Sequence, residues 1–240
     1  MHFSILRKDT TASTNDDVWE LASQGAAEGS VVVTRSQRQG RGQWGRVWVS
    51  PEGGLYFSLL LRPALAQSEW PRISPAIATA VCRVVRMECG VEPDAYEIEP
   101  APGEVGTADK TQAASEEKAG LTSALANGLH KITGTQEPRA AESASPRPAD
   151  SIHVKRPNDV VCDAGKICGI SLEARDGCVV VGCGVNVFHP DRPVETDGRN
   201  VPAYLADLAE GRLGAPSGEY LDALLDALLV SIAHELESLE

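Results

Sequence analysis

Apolar positions cluster in the first and last thirds of the 240-residue chain and thin out between them. Residues 2–7 alternate weakly and open a sheet. Residues 31–34 and Leu55–Leu61 are continuous apolar runs and read as buried strands. Between the first two strands stand Ser13, Thr14 and Asn15, all helix N-cap types, then the acids Asp16 and Asp17 of a first helical turn. Val18, Leu21 and Ala22 follow at helical spacing. The glycines of residues 25–29 and 53–54 mark turns. Residues 70–89 predict a helix, with Ile73, Ile77, Val81, Val84 and Val85 in step and Pro71 in its first turn.

The pattern returns after residue 151. Residues 152–155 predict a strand, 156–159 a turn, 160–162 a short strand and 163–165 a hairpin turn. Residues 166–174 and 178–187 predict two further strands. Gly182 and Gly184 inside the last one call for close approach of a ligand or another backbone. Helices are expected at 201–210 and 218–239, the second carrying Leu221, Leu224, Leu225, Leu228, Ile232 and Leu236 on one face. Residues 92–150 are rich in Ala, Glu, Ser, Thr, Pro and Gly and poor in bulky apolar side chains. Such a stretch buries too little surface to offset its conformational entropy. It is expected to be an insertion, disordered or weakly helical, with residues 118–131 as its one amphipathic candidate.

Composition narrows the function. The net charge is −12, about half of it in the insertion, which gives nucleic-acid binding little electrostatic support. No apolar run reaches the length of a membrane span, and the first residues lack the features of a secretion or transit signal. The six cysteines form no C-x-x-C pair, so small buried thiols in a reducing cytoplasm are expected, without a metal site.

The chemistry concentrates after the second strand, in Arg35-Ser-Gln-Arg-Gln-Gly-Arg-Gly-Gln-Trp-Gly-Arg-Val-Trp48. Gly40, Gly42 and Gly45 leave the backbone bare, and Arg35, Arg38, Arg41 and Arg46 suit an anionic ligand such as phosphate or carboxylate. Trp44 and Trp48 offer planar cover. The loop is neither a P-loop nor a dinucleotide fingerprint, and by itself it reads as readily as a solvated turn.

Its companions decide. Gly40-Arg-Gly-Gln-Trp-Gly-Arg-Val-Trp48, Lys155-Arg-Pro-Asn-Asp159, Lys166-Ile-Cys-Gly-Ile-Ser-Leu-Glu173 and Gly182-Cys-Gly-Val-Asn186 resemble, in order and spacing, the four motifs of biotin protein ligase catalytic domains. The resemblance covers about residues 3–91 and 151–240. It implies a class II synthetase-like α/β (α+β) fold: a mixed, mostly antiparallel sheet with helices on one side and ligand loops over the other face. One catalytic domain is expected, with no helix-turn-helix before it, no β-barrel domain after it and no role on DNA. Dimerisation through an edge strand occurs in the family.

The implied activity has two steps. Biotin and ATP, with Mg²⁺, give biotinyl-5′-AMP, and the biotinyl group then passes to a lysine of a biotin carboxyl carrier protein. Ser13, Thr14, Asn15 and Gln37, with Gly40, Arg41, Gly42, Gln43 and Lys155, would hold biotin. Arg41, Arg46, Trp48, Lys155, Asn158 and Asn186 would hold ATP. Lys155, Arg41 and Arg46 would supply the catalytic charge. Two departures stand out: Gln43 replaces an arginine that helps retain the adenylate, and Arg156 replaces a tryptophan. The alternatives are a lipoate or octanoate ligase or transferase, and a non-catalytic biotin- or nucleotide-binding relative.

Overall fold

In the computed structural model, residues 1–95, 98–99, 147–194 and 201–239 are described. Eight strands form one sheet: β1 (Ser4–Thr11), β2 (Ser30–Gln37), β3 (Leu55–Leu61), β4 (Ile98–Glu99), β5 (His153–Lys155), β6 (Asp159–Cys162), β7 (Gly165–Arg175) and β8 (Cys178–Val185). Their spatial order is β1-β2-β3-β8-β7-β6-β5-β4. The interior pairs are antiparallel, and only the edge pairs β1–β2 and β4–β5 are parallel. The expected mixed, mostly antiparallel sheet is present.

Alternation along the strands sorts the side chains onto two faces. Val31, Val33, Leu55, Phe57, Leu59, Leu61, Val179 and Val181 point to the main core. There they meet α2 (Ile73–Glu88) and the C-terminal helix α4 (Gly218–Glu237), with the one-turn helix α3 (Leu205–Leu208) beside them. α4 starts where the Ser217 hydroxyl accepts from the Tyr220 amide at 3.1 Å. Its Leu224, Leu225, Leu228, Leu229 and Ile232 are buried, each worth roughly 1.5–3 kcal/mol on leaving water. On the opposite face Val32, Leu60 and Val180 receive Val18 of α1 (Thr14–Ser23). So α1 departs from the expected one-sided layering: the two long helices share a face and α1 covers one end of the other.

Element boundaries shifted where tertiary contacts outvoted local pattern. The helix expected at 70–89 opens as a 3-10 turn, Gln67–Arg72, with Pro71 inside it. The helix expected at 201–210 shrinks to the four residues of α3. Of the stretch expected to be an insertion, residues 92–95, 98–99 and 147–150 are among those described. Asp94 bonds to the buried Arg83 at 2.8 Å, and residues 148–151 form a 3-10 turn. The candidate helix at 118–131 lies outside the described residues. All six cysteines are buried and unpaired as disulfides, and no group of three metal-ligating side chains occurs among the described residues.

Candidate active site

The face of the sheet beyond α1 carries a cleft of about 810 Å³. Strand register explains its floor. Ser58, Gly182 and Ser171 lie side by side across β3, β8 and β7. One row further along, Tyr56, Gly184, Gly169 and Asp159 are aligned, with Lys155 opposite Asp159 on β5. Three glycines in two rows remove the side chains that would otherwise fill this face.

Each gap is occupied by a neighbour. A Cβ on Gly182 would lie 2.4 Å from Asn15 Oδ1 and 2.6 Å from Ser171 Oγ. A Cβ on Gly184 would lie 2.4 Å from Trp48 Nε1, and one on Gly169 would lie 2.7 Å from Trp48 Cζ3. The close approach expected at Gly182 and Gly184 is therefore made by side chains, one from α1 and one from the loop.

The α1 end is a polar network. Gln37 Oε1 accepts from the Thr14 amide at 2.9 Å and from Thr14 Oγ1 at 3.1 Å, and Gln37 Nε2 donates to Ser50 Oγ at 2.9 Å. Ser58 Oγ sits 2.7 Å from Thr14 Oγ1 and 2.6 Å from Asn15 Oδ1. Asn15 Nδ2 donates to Glu173 Oε1 at 2.9 Å, and Trp19 Nε1 donates to Glu173 Oε2 at 2.8 Å. Ser13 is buried against the cleft, and its side chain makes no capping bond. Asn15 is thus held on both polar ends by protein groups.

The loop is fastened to this network by charge. Arg41 makes two bonds to Asp16, at 2.8 and 2.6 Å, and approaches Glu173 Oε1 at 3.5 Å. The hydrogen bond from Arg41 holds the Asp16 carboxyl below its usual range, and Asp16 in turn raises the arginine. Burial pushes Glu173 up, but its bonds from Asn15 and Trp19 and the nearby arginines prevail and leave it lowered. Past Arg41 the chain turns through Gln43–Gly45, with Trp44 88% exposed. It then returns with Arg46 exposed and Trp48 N bonded to Gly40 O at 2.9 Å.

Ser13, Thr14, Asn15, Gln37, Arg41, Gly42, Gln43, Arg46, Trp48, Lys155, Asn158 and Asn186 all line this cleft. Gly40 does not. It packs beneath the loop, where a Cβ would meet Trp48 O at 2.3 Å. Two side chains are tied to backbone: Asn158 Nδ2 donates to Ile170 O at 2.7 Å, and Asn186 Nδ2 to Lys166 O at 2.9 Å. Asp159 lies 2.7 Å from Lys166 Nζ. Reading the chain missed Ser58, Ser171 and Asp16 as parts of the site. A hydroxyl inside each of two apolar strands was the available signal.

The sequence profile of the biotin/lipoate A/B protein ligase family matches residues 8–186. The chain belongs to that family. The bifunctional ligase/repressor BirA of Bacillus spizizenii is 36% identical over 91 residues, which are 38% of this chain and 28% of that one. The biotin–[acetyl-CoA-carboxylase] ligase of Paracoccus denitrificans is 26% identical over 225 residues, 90% of this chain and 68% of its own. The biotin protein ligase of Leishmania major, solved with biotinyl-5-AMP, superimposes with a TM-score of 0.57 at 20% identity, covering 98% of this chain and 78% of that one. The shared architecture places the fold of this family member alongside that enzyme.

Proposed function

We propose that this chain is an ATP-dependent biotin protein ligase, forming biotinyl-5′-AMP and passing biotin to a lysine of a biotin carboxyl carrier protein. The observation that carries the reading is the order of chemistry along β8. Gly182 backs the hydroxyl and amide cluster of α1, Gly184 backs Trp48, and Asn186 ends the row. Strand rise sets about 14 Å between the first and last of these, the span of a small acid joined to a nucleotide. Relatives named for biotin ligation, and a structural neighbour carrying the adenylate itself, support the same choice.

In this reading Ser13 and the Thr14–Gln37 pair face the ureido ring of biotin. Buried polar groups left without partners there cost about 1–3 kcal/mol each, which favours a polar ring over a plain acyl chain. Asn15, Ser58, Ser171 and Glu173 hold those groups in place. The biotin carboxylate oxygen attacks the α-phosphorus of ATP, and the bond to pyrophosphate breaks. In the second step a carrier lysine amine attacks the acyl carbon, releases AMP and loses its proton to solvent. The protein's task is to bring two anions together, so Lys155 and Arg46 supply positive charge at the junction. Arg41, engaged by Asp16 and Glu173, closes the loop over the acid. Among the described residues, Asp159 is the one acidic side chain lining the cleft, and it lies beside Lys166. Mg²⁺ accordingly enters with ATP, on its phosphates, as part of the substrate.

The test is biotin-dependent pyrophosphate exchange with MgATP, followed by transfer to a purified carrier domain. Lipoate and octanoate serve as competing acids. Wild type is expected to use biotin alone, and Lys155→Ala to lose at least about 100-fold, or some 2.7 kcal/mol of transition-state stabilisation. Preference for lipoate, or full activity without the lysine, would overturn the assignment.

A further inference from the structure

Among the cations lining the cleft, Lys166 differs from the others in its setting. Arg46 is exposed on the loop, and Arg41 is held by two carboxylates at the α1 end. Lys166 stands on β7 in the cleft wall, with its side chain 14% exposed. One carboxylate, Asp159, lies 2.7 Å from its ammonium and is itself only 18% exposed. The ammonium sits 5.2 Å from the centre of the Trp48 ring. Beside it Gly169 carries no side chain, and a Cβ there would come within 3.0 Å of Lys166 Nζ and 2.7 Å of Trp48.

These contacts leave the ammonium under-used. An ammonium has three donors and no acceptor. One carboxylate and one ring face engage two of them, and Lys166 and the bare Gly169 beside it both line the cleft. A lysine withdrawn this far from water loses solvation that a single carboxylate restores only in part. The position is also tied to the far end of the site. Asn186 donates to the carbonyl of Lys166 itself, and the backbone of Lys166 is fixed by Val201 O and Ala203 N.

We propose that Lys166 is a second lysine of the site, binding a phosphate oxygen of the nucleotide, with Asp159 as the residue that positions it. The inference deepens the ligase reading and rests on ATP being the substrate. Lys155 and Lys166 then flank the nucleotide phosphates from β5 and β7, with Asp159 between them on β6. A structural ion pair and a phosphate ligand make different predictions. A structural pair influences every ligand of the cleft alike through the fold. A phosphate ligand discriminates between ligands with and without phosphate.

The experiment measures binding of ATP, adenosine and biotin to the full chain by titration calorimetry, alongside biotin-dependent pyrophosphate exchange. Three variants are compared: Lys166→Gln, Lys166→Arg, and Lys166→Gln combined with Asp159→Asn, which leaves no unpaired buried charge. ATP affinity is expected to fall at least about ten-fold in both glutamine variants, with adenosine and biotin affinity within about two-fold of wild type. Lys166→Arg is expected to recover most of the loss. Equal weakening of ATP and adenosine, or unchanged ATP binding in the double variant, overturns the proposal. ATP binding by wild type without exchange sinks the ligase activity and leaves Lys166 decided by the affinities. No ATP binding by wild type sinks both.

Discussion

At the scale of single residues, the site is built by glycines as much as by functional groups. Gly182 and Gly184 called for close approach of a ligand or another backbone. They are instead seats for Asn15 and Trp48, which present the site from either side. Periodicity marks such a gap but not its occupant, because the occupant arrives from another element. Gln43 belongs to the same scale. It lines the cleft at the start of the loop's tight turn, and its carbonyl accepts from the Arg46 amide at 3.3 Å. A neutral amide attracts a phosphodiester less than a guanidinium does, because it lacks both the charge and the two-pronged geometry. Gln43→Arg is therefore expected to slow escape of biotinyl-5′-AMP about ten-fold in a chase experiment with unlabelled adenylate. Equal release by wild type and variant removes the argument.

At the scale of elements, the loop and α1 act as one unit because Arg41 joins them. The sequence contained every part of this join. Arg41 was legible as a functional cation, but Asp16 read only as a first-turn acid favourable to the helix. Their pairing depends on β2 running on to Gln37, past the apolar run that marked it as a strand, and so setting where the loop begins. Local pattern found the strand cores, while their ends followed pairing with neighbours. The join has a pH signature. Asp16 and Glu173 both titrate below the usual carboxylate range. Lowered carboxylates stabilise the closed loop above their unfolded values, near pH 4, and lose that contribution as pH falls through the folded values. Half-exposed pairs of this kind contribute roughly 0.5–1 kcal/mol. Biotin affinity should stay level from pH 7 to about 5. Asp16→Asn should bind two- to five-fold more weakly across that range and converge with wild type below about pH 4. A decline beginning near pH 6, or an Asp16→Asn protein indistinguishable from wild type at neutral pH, contradicts this account of closure.

At the scale of the whole molecule, the long connection between α2 and β5 is gathered at its base by one buried side chain. Arg86 of α2 donates from Nε to Glu92 O at 2.7 Å and from Nη2 to Ala95 O at 3.0 Å on the outgoing chain. From Nη1 it donates to Ile152 O at 2.7 Å, with Asp150 O at 3.4 Å, on the returning chain. Arg83, one turn earlier, reaches Asp94 at 2.8 Å and Glu235 of α4 at 2.7 Å. The composition of residues 92–150 gave no sign of these contacts, since the carbonyls are met by an arginine outside the stretch. Because both ends meet at Arg86, the connection is closed at its base by described residues alone. Closure entropy also changes only with the logarithm of loop length. Replacing residues 101–145 with a short Gly/Ser linker is therefore expected to leave the melting temperature within a few degrees and exchange activity within about two-fold. Arg86→Leu removes the donor from the buried Ile152 carbonyl and from the part-buried carbonyls of Glu92 and Ala95, at about 1–3 kcal/mol for each one not rescued by water. It should lower stability by about 3 kcal/mol or more in urea unfolding. A shortened chain that folds but no longer catalyses exchange would mean the connection contributes groups to the cleft. A shortened chain that fails to fold would place part of the core within it.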